Sequence, residues 1–183
     1  MTERQPNPWR DDLLLKCRAH PEFPDDFQAV FYDFETYLDD PFVEVMWVRL
    51  VRVVAPGAWE ASLLNQPHKL RSVNAGDSAI VRLPRGTEHL VFLPREAVAE
   101  RMRFGMSCQV CRFDMLFCSA DALVKRQFGK ERRAGAFQAV TTRCFACRQT
   151  MLVWRWDADP AIHDRLPPKP SDPLISPLYV DHL

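Results

Sequence analysis

Two short cysteine pairs constrain this chain more than any other feature. Cys108-Gln109-Val110-Cys111 and Cys144-Phe145-Ala146-Cys147 repeat a C-x-x-C spacing on either side of residues 112–143. Each such turn puts two thiolates on one side of the backbone with nearby N–H groups directed at the sulfurs, and two turns together make the four-sulfur tetrahedron that zinc prefers. Arg112 and Arg148 directly follow the pairs, and cationic neighbours help to keep clustered thiolates deprotonated. The first reading is one structural Zn2+ ion on Cys108, Cys111, Cys144 and Cys147. A redox dithiol, unligated thiols and an iron–sulfur cluster are the alternatives. Redox work asks for one exposed thiol of low pKa, and a catalytic zinc for an open fourth position, whereas a complete sulfur shell offers neither. Cys118 and His163 are the candidate substitute ligands.

The segment around these pairs, residues 106–157, resembles a four-cysteine zinc ribbon. Strands are expected at Arg112–Phe117 and Met151–Trp156, directly after each pair, with a helix near Ala120–Gln127. Ahead of it, residues 1–105 read as an α+β domain. Phe27, Val30, Phe31, Phe34, Tyr37 and Leu38 recur at helical spacing behind Asp25 and Asp26, which predicts an amphipathic helix over 24–38. From Val43 the pattern turns β-branched and aromatic, and the turn signals Ala55-Pro56-Gly57, Ala75-Gly76-Asp77 and Pro84-Arg85-Gly86 divide residues 43–93 into short strands. Their number and spacing predict a small antiparallel sheet or barrel with flanking helices. Pro94-Arg95-Glu96 opens a further helix ending near Gly105. Beyond Asp157 the chain is proline-rich, so residues 158–183 are expected to form an extended tail.

No apolar run of about 18 residues occurs, and the start MTERQPNPWRDD has neither a basic opening nor an apolar signal stretch. The expectation is a cytoplasmic protein with no membrane partner, in which 6 cysteines favour metal ligation over a disulfide framework. The sequence contains no G-x-S-x-G, P-loop, G-x-G-x-x-G or H-E-x-x-H pattern, and the histidines at 20, 68, 89, 163 and 182 sit in no active-site signature. A non-enzymatic role is therefore expected, with no catalytic residue assigned.

The formal net charge is +0, but residues 1–45 hold 4 Lys/Arg against 11 Asp/Glu, and residues 101–155 hold 11 against 3. Such a dipole bears on partners rather than on fold. Two candidate contact surfaces follow: an acidic one at Asp25, Asp26, Asp39 and Asp40, and a basic one at Lys125, Arg126, Lys130, Arg132 and Arg133. The basic surface suits either an acidic protein or nucleic acid, and Phe128 and Phe137 are placed to stack on bases. The acidic first segment counts against nucleic acid, since it repels phosphate.

Within the first half, Glu44-Val45-Met46-Trp47-Val48-Arg49, Ala58–Pro67 with its Leu63-Leu64-Asn65-Gln66-Pro67 ending, and Ala75-Gly76-Asp77 resemble a bacterial domain family of unknown function. In that family an E-x-M-W-V strand leads to an L-x-N-x-P strand end and then a G-D turn. The resemblance spans residues 25–100 and implies a small α+β domain. Several members resemble proteins encoded beside toxins, which implies an immunity or adaptor protein that binds a protein partner, here through its acidic residues. The second expectation is a zinc-ribbon nucleic-acid-binding or regulatory protein.

Overall fold

In the computed structural model, which describes residues 7–34, 43–129 and 131–158, the β-rich first half closes on itself. Strands β1 (Asp26–Tyr32), β2 (Val43–Ala55), β3 (Ala58–Leu63), β4 (Ser78–Arg82) and β5 (Leu90–Phe92) follow one another around a barrel. Successive strands pair antiparallel, and parallel pairing of β1 with β5, Ala29 opposite Leu90 and Val30 opposite Val91, closes the ring. Closure leaves no sheet edge to pair with another chain. Side chains alternate across each strand, so Phe27, Ala29 and Phe31 of β1, Met46, Val48 and Leu50 of β2, and Trp59, Ala61 and Leu63 of β3 point into one buried cluster. The alanines leave room for the large rings. Trp9 and Leu15, from the segment before β1, join the same core.

The expected helix over 24–38 is not formed: Asp26–Tyr32 is a strand. Phe27 and Phe31 satisfy a helical spacing of four and a strand spacing of two equally well, and short apolar runs are ambiguous in this way. Pairing on both sides, with β2 and with β5, decides the matter, because a strand buries all three inward residues where a lone helix has no partner. Residues 35–38, and Asp39 and Asp40, lie outside the described residues.

Asp25 and Asp26, read from sequence as helix-end charges, instead fasten the barrel. The Asp25 carboxylate accepts from Asn7 Nδ2, Trp9 Nε1 and Arg10 Nε, each at 2.9 Å, and from Arg10 Nη2 at 2.7 Å. Asp26 is buried and accepts from Arg49 Nε at 2.7 Å and Nη2 at 2.9 Å. Opposite these, Glu44 accepts from the backbone N–H groups of His68 at 2.9 Å and Leu70 at 3.1 Å, and from that of Lys69. Asn65 Oδ1 accepts from Trp47 N at 2.8 Å, and Gly76, at φ +89, donates from its N to Leu63 O at 2.7 Å. The Glu44, Asn65 and Gly76 positions that carry the family resemblance are thus structural ties between β2, the end of β3 and the turn before β4.

The remaining described residues, 33–34, Pro84–Thr87 and 94–158 apart from Lys130, form a second unit. It holds α1 (Arg95–Arg103), β6 (Phe104–Cys108), α2 (Ala120–Phe128), β7 (Ala139–Arg143) and β8 (Thr150–Arg155), with the strands in the order β6-β8-β7. The division therefore falls at Pro94 rather than after Gly105, because α1 runs straight into β6 and bonds the residues beyond it. Glu100 Oε2 accepts from Ala120 N at 3.1 Å, and buried Arg101 donates to the Asp114 carbonyl. Arg112–Phe117, expected as a strand, is irregular; the first cysteine pair ends a strand instead of opening one. Phe113, Met115, Leu116 and Phe117 are buried while Arg112 is exposed and Asp114 half-buried, so the segment starts with the alternation of a strand, but it pairs with no strand of the sheet β6-β8-β7. Ser119 caps α2 by accepting from Ala122 N at 3.1 Å, the usual way to satisfy a first-turn donor. At Gly105 the ring of Trp154, its partner on β8, lies where a Cβ would stand. Among the described residues no helix is long and apolar enough to cross a membrane.

The hydrogen bonds from Arg10, Asn7 and Trp9 outweigh the opposing effect of burial and hold the Asp25 carboxyl well below its usual 3.8. A carboxyl depressed in the folded state adds stability above its unfolded pKa and loses it as pH falls below that value. Unfolding midpoints should therefore drop as pH falls through about 4 and below. Asp25→Asn should cost about 1 kcal/mol at neutral pH and flatten this acid limb, as read by thermal melts across the pH series.

Candidate metal centre

The two cysteine turns are built alike. Cys108 N donates to Phe113 O at 2.8 Å and Arg112 N to Cys108 O at 3.1 Å; in the second turn Cys144 N donates to Gln149 O at 2.7 Å and Arg148 N to Cys144 O at 2.9 Å. Each chain reversal is completed by a left-handed residue at the same place, Arg112 at φ 66 and Arg148 at φ 63. Non-glycine residues rarely adopt that conformation, and its recurrence gives the two turns the same backbone form. Arginines that looked like electrostatic neighbours of the thiolates thus also carry the backbone bend.

Strand β6 delivers Cys108 and the end of β7 delivers Cys144, and because both strands flank β8 the turns face each other. Cys108 Sγ lies 3.5 Å from Cys147 Sγ, and Cys111 Sγ lies 3.6 Å from Cys144 Sγ. All four sulfurs fall within 4.8 Å of one another. A tetrahedral shell with metal–sulfur bonds of about 2.3 Å sets its sulfurs about 3.8 Å apart, so the cluster is compatible with one bound metal ion. None of the six cysteines is in a disulfide.

Burial pushes the Cys144 thiol up to about 12 and raises Cys111 as well. At Cys108 burial acts in the same sense but is outweighed by the backbone N–H groups of Cys111 and Val110, the latter 3.4 Å from the sulfur, which bring this thiol down to about 6. The N–H groups that favour one thiolate here are the ones that stabilise charge on a metal-bound sulfur.

Cys118 is buried but stands apart from the cluster, and His163 lies outside the described residues. Of the basic candidates, Lys125 and Arg126 are exposed in the last turn of α2, and Arg132 and Arg133 are exposed in the loop beyond it; Lys130 lies outside the described residues. That loop is tied back to α2 by Asp121 Oδ1, which accepts from Ala134 N at 2.6 Å. Asp25 and Asp26 are engaged within the barrel as described above.

One contributor to the site had no signal in the sequence. Gly86, read only as a turn residue, sits at φ +71 with its α-carbon against the Cys111 carbonyl, and a Cβ there would collide with it. Nothing in a Pro-Arg-Gly turn announces a distant cysteine. No family model, curated protein or solved structure matches the chain, so the family resemblance of residues 25–100 has no match behind it.

Gly86→Ala introduces both left-handed strain and this collision. It should weaken metal retention by about 1–3 kcal/mol, measured as the shift in chelator concentration needed to strip the ion, while Gly57→Ala, at φ +74 with open space around it, should leave retention unchanged.

Proposed function

We propose that the second unit is a zinc ribbon holding one structural Zn2+ on Cys108, Cys111, Cys144 and Cys147, and that the chain is a non-enzymatic binding protein of the cytoplasm. The four sulfurs within 4.8 Å of one another carry this reading. Zinc fits a closed shell of four thiolates, and such a shell leaves no position for a reacting water. A reducing compartment keeps the thiols available for metal.

The partner is an anionic macromolecule met at the basic surface of Lys125, Arg126, Arg132 and Arg133. An immunity or adaptor role through the acidic surface was the first sequence expectation, but Asp25 and Asp26 bind Arg10 and Arg49 of the same chain. A basic partner would have to break those bonds, which costs what each carboxylate already gains. Lys125, Arg132 and Arg133 are exposed and, among the described residues, have no such ion pair to break, so the weight moves to this basic surface, with an acidic protein or a nucleic acid as the partner.

Metal analysis of protein purified without chelator should return one zinc per chain, and iron in its place would replace the zinc reading. Cys144→Ser should abolish stoichiometric binding and expose β6, β7 and β8 to hydrogen exchange, because binding energy at such sites, about 10–16 kcal/mol, is folding energy. A ratio near zero, with these strands still protected, overturns the proposal.

A further inference from the structure

Between α2 and the β7–β8 hairpin runs an open cleft of about 510 Å³, lined by Leu123, Arg126, Gln127, Thr141, Thr142, Arg143, Phe145, Arg148 and Thr150. Arg126 comes from the helix, Arg143 from the end of β7 and Arg148 from the second cysteine turn, so three separate elements bring guanidinium groups to one concave surface. No carboxylate lines it, and among the described residues none pairs with Arg143 or Arg148. Arg143 and Arg148, like charges at the two ends of one turn without a carboxylate partner, disfavour one another, and a bound anion relieves that repulsion.

The two cysteine turns supply an internal control. Their backbones match, yet the first carries Ser107 and Gln109 at the places where the second carries Arg143 and Phe145. Holding a metal requires neither the cation nor the ring. What distinguishes the second turn is therefore what it presents to the cleft. Phe145 is held in place by Phe117, with ring centroids 4.4 Å apart, and the Arg148 guanidinium lies 5.9 Å from its centroid.

Immediately after Gln127, which lines the cleft and donates to Thr141 O at 2.7 Å, Phe128 stacks on Phe137 with centroids 4.7 Å apart and an interplanar angle of 24°. Phe128 is nonetheless 51% exposed. An aromatic pair with one exposed ring at the end of a cationic cleft favours one class of anion. Guanidinium forks grip phosphate oxygens in pairs, and flat rings stack on bases, whereas the carboxylates of an acidic peptide have no use for the rings. Stacking also requires a base that is not already paired inside a duplex. A cleft of this volume falls within the range of about 300–1,000 Å³ that accommodates small ligands, enough for one nucleotide unit with its phosphate.

We propose that this cleft binds single-stranded nucleic acid, with a backbone phosphate held by Arg126, Arg143 and Arg148 and a neighbouring base stacked on Phe128. This deepens the reading of the basic surface given above and rests on it for the choice of surface. It stands apart from the identity of the metal.

Fluorescence anisotropy of the full chain with labelled oligo-dT and oligo-U, across a salt series, tests it. Binding to single strands should weaken with salt. Arg143→Gln with Arg148→Gln should lower affinity at least about tenfold and reduce the salt slope by about 1.4, since each lost phosphate contact on a single strand removes about 0.7. Phe128→Ala should lower affinity about tenfold and leave the slope unchanged. Arg52→Gln, in the barrel, should change neither. Zinc content and circular dichroism of each variant establish that it is folded. The relative affinities for oligo-dT and oligo-U assign the ligand to DNA or RNA. Binding of poly-glutamate or of duplex but of neither single strand would overturn the proposal in favour of an acidic protein or a duplex partner, as would single-strand binding that ignores the arginine substitutions. One zinc per chain without single-strand binding defeats this inference alone, and single-strand binding by a chain that holds no metal defeats the zinc reading alone.

Discussion

The second unit depends on four sulfur atoms within 4.8 Å of one another. Its sheet has three strands and its helices are short, which places it at the lower limit of size for independent stability. The sulfurs join the end of β6 to the end of β7, and both strands flank β8. Residues 112–143, lying between the cysteine pairs in sequence, are thereby closed into a loop whose ends are fixed. Phe113, Leu116, Phe117, Leu123 and Val124 from that loop are buried, so the cysteine turns set the ends and apolar packing fills the span. Matching left-handed turns at Arg112 and Arg148 show how local strain is accepted in return for sulfur geometry.

The barrel is held by a different principle. Strand β1 is the keystone, pairing with β2 along Asp26–Tyr32 and with β5 at Ala29 and Val30. Its entry is fixed by carboxylates rather than by apolar contact alone: Asp25 ties the preceding segment through Arg10 and Trp9, and Asp26 ties β2 through Arg49. Charges that look from sequence like a solvated acidic face are in fact internal fasteners. The chain's charge asymmetry is thus partly consumed within the first unit, while Lys125, Arg132, Arg133, Arg143 and Arg148 of the second are exposed.

These two principles explain what could be read from the residues alone. The cysteine tetrad was legible because metal ligation requires fixed residue types at fixed spacing, and the strands from Val43 to Phe92 were legible because turn residues punctuate them. Strand β1 was not, since Phe27 and Phe31 fit either period and only the presence of two neighbouring strands selects one. Nor was the path of Arg112–Phe117, which begins with the alternation of a strand but pairs with no strand of the sheet. Gly86 was beyond reach for a third reason: its constraint is a contact with Cys111, and one sequence carries no trace of contacts between distant turns. The acidic and basic candidates were identified as charges correctly, but whether a charge is engaged within the chain is a tertiary fact.

The same tertiary fact connects the metal to the proposed binding cleft. Cys144 and Cys147 direct their sulfurs to the cluster, and the residues that flank and separate them, Arg143, Phe145 and Arg148, line the cleft. One turn of chain therefore has two faces, one directed to the sulfur cluster and one presented outward. The arginines are long side chains with much rotamer freedom to lose on binding, and anchoring their backbones in advance lowers the remaining cost of forming a site. An ion bound by the four sulfurs would hold Arg143 and Arg148 at the two ends of one turn, across from Arg126, and so would influence affinity without touching the ligand. A closed shell of four sulfurs, which would leave such an ion no position for a reacting water, would suit it to this purpose.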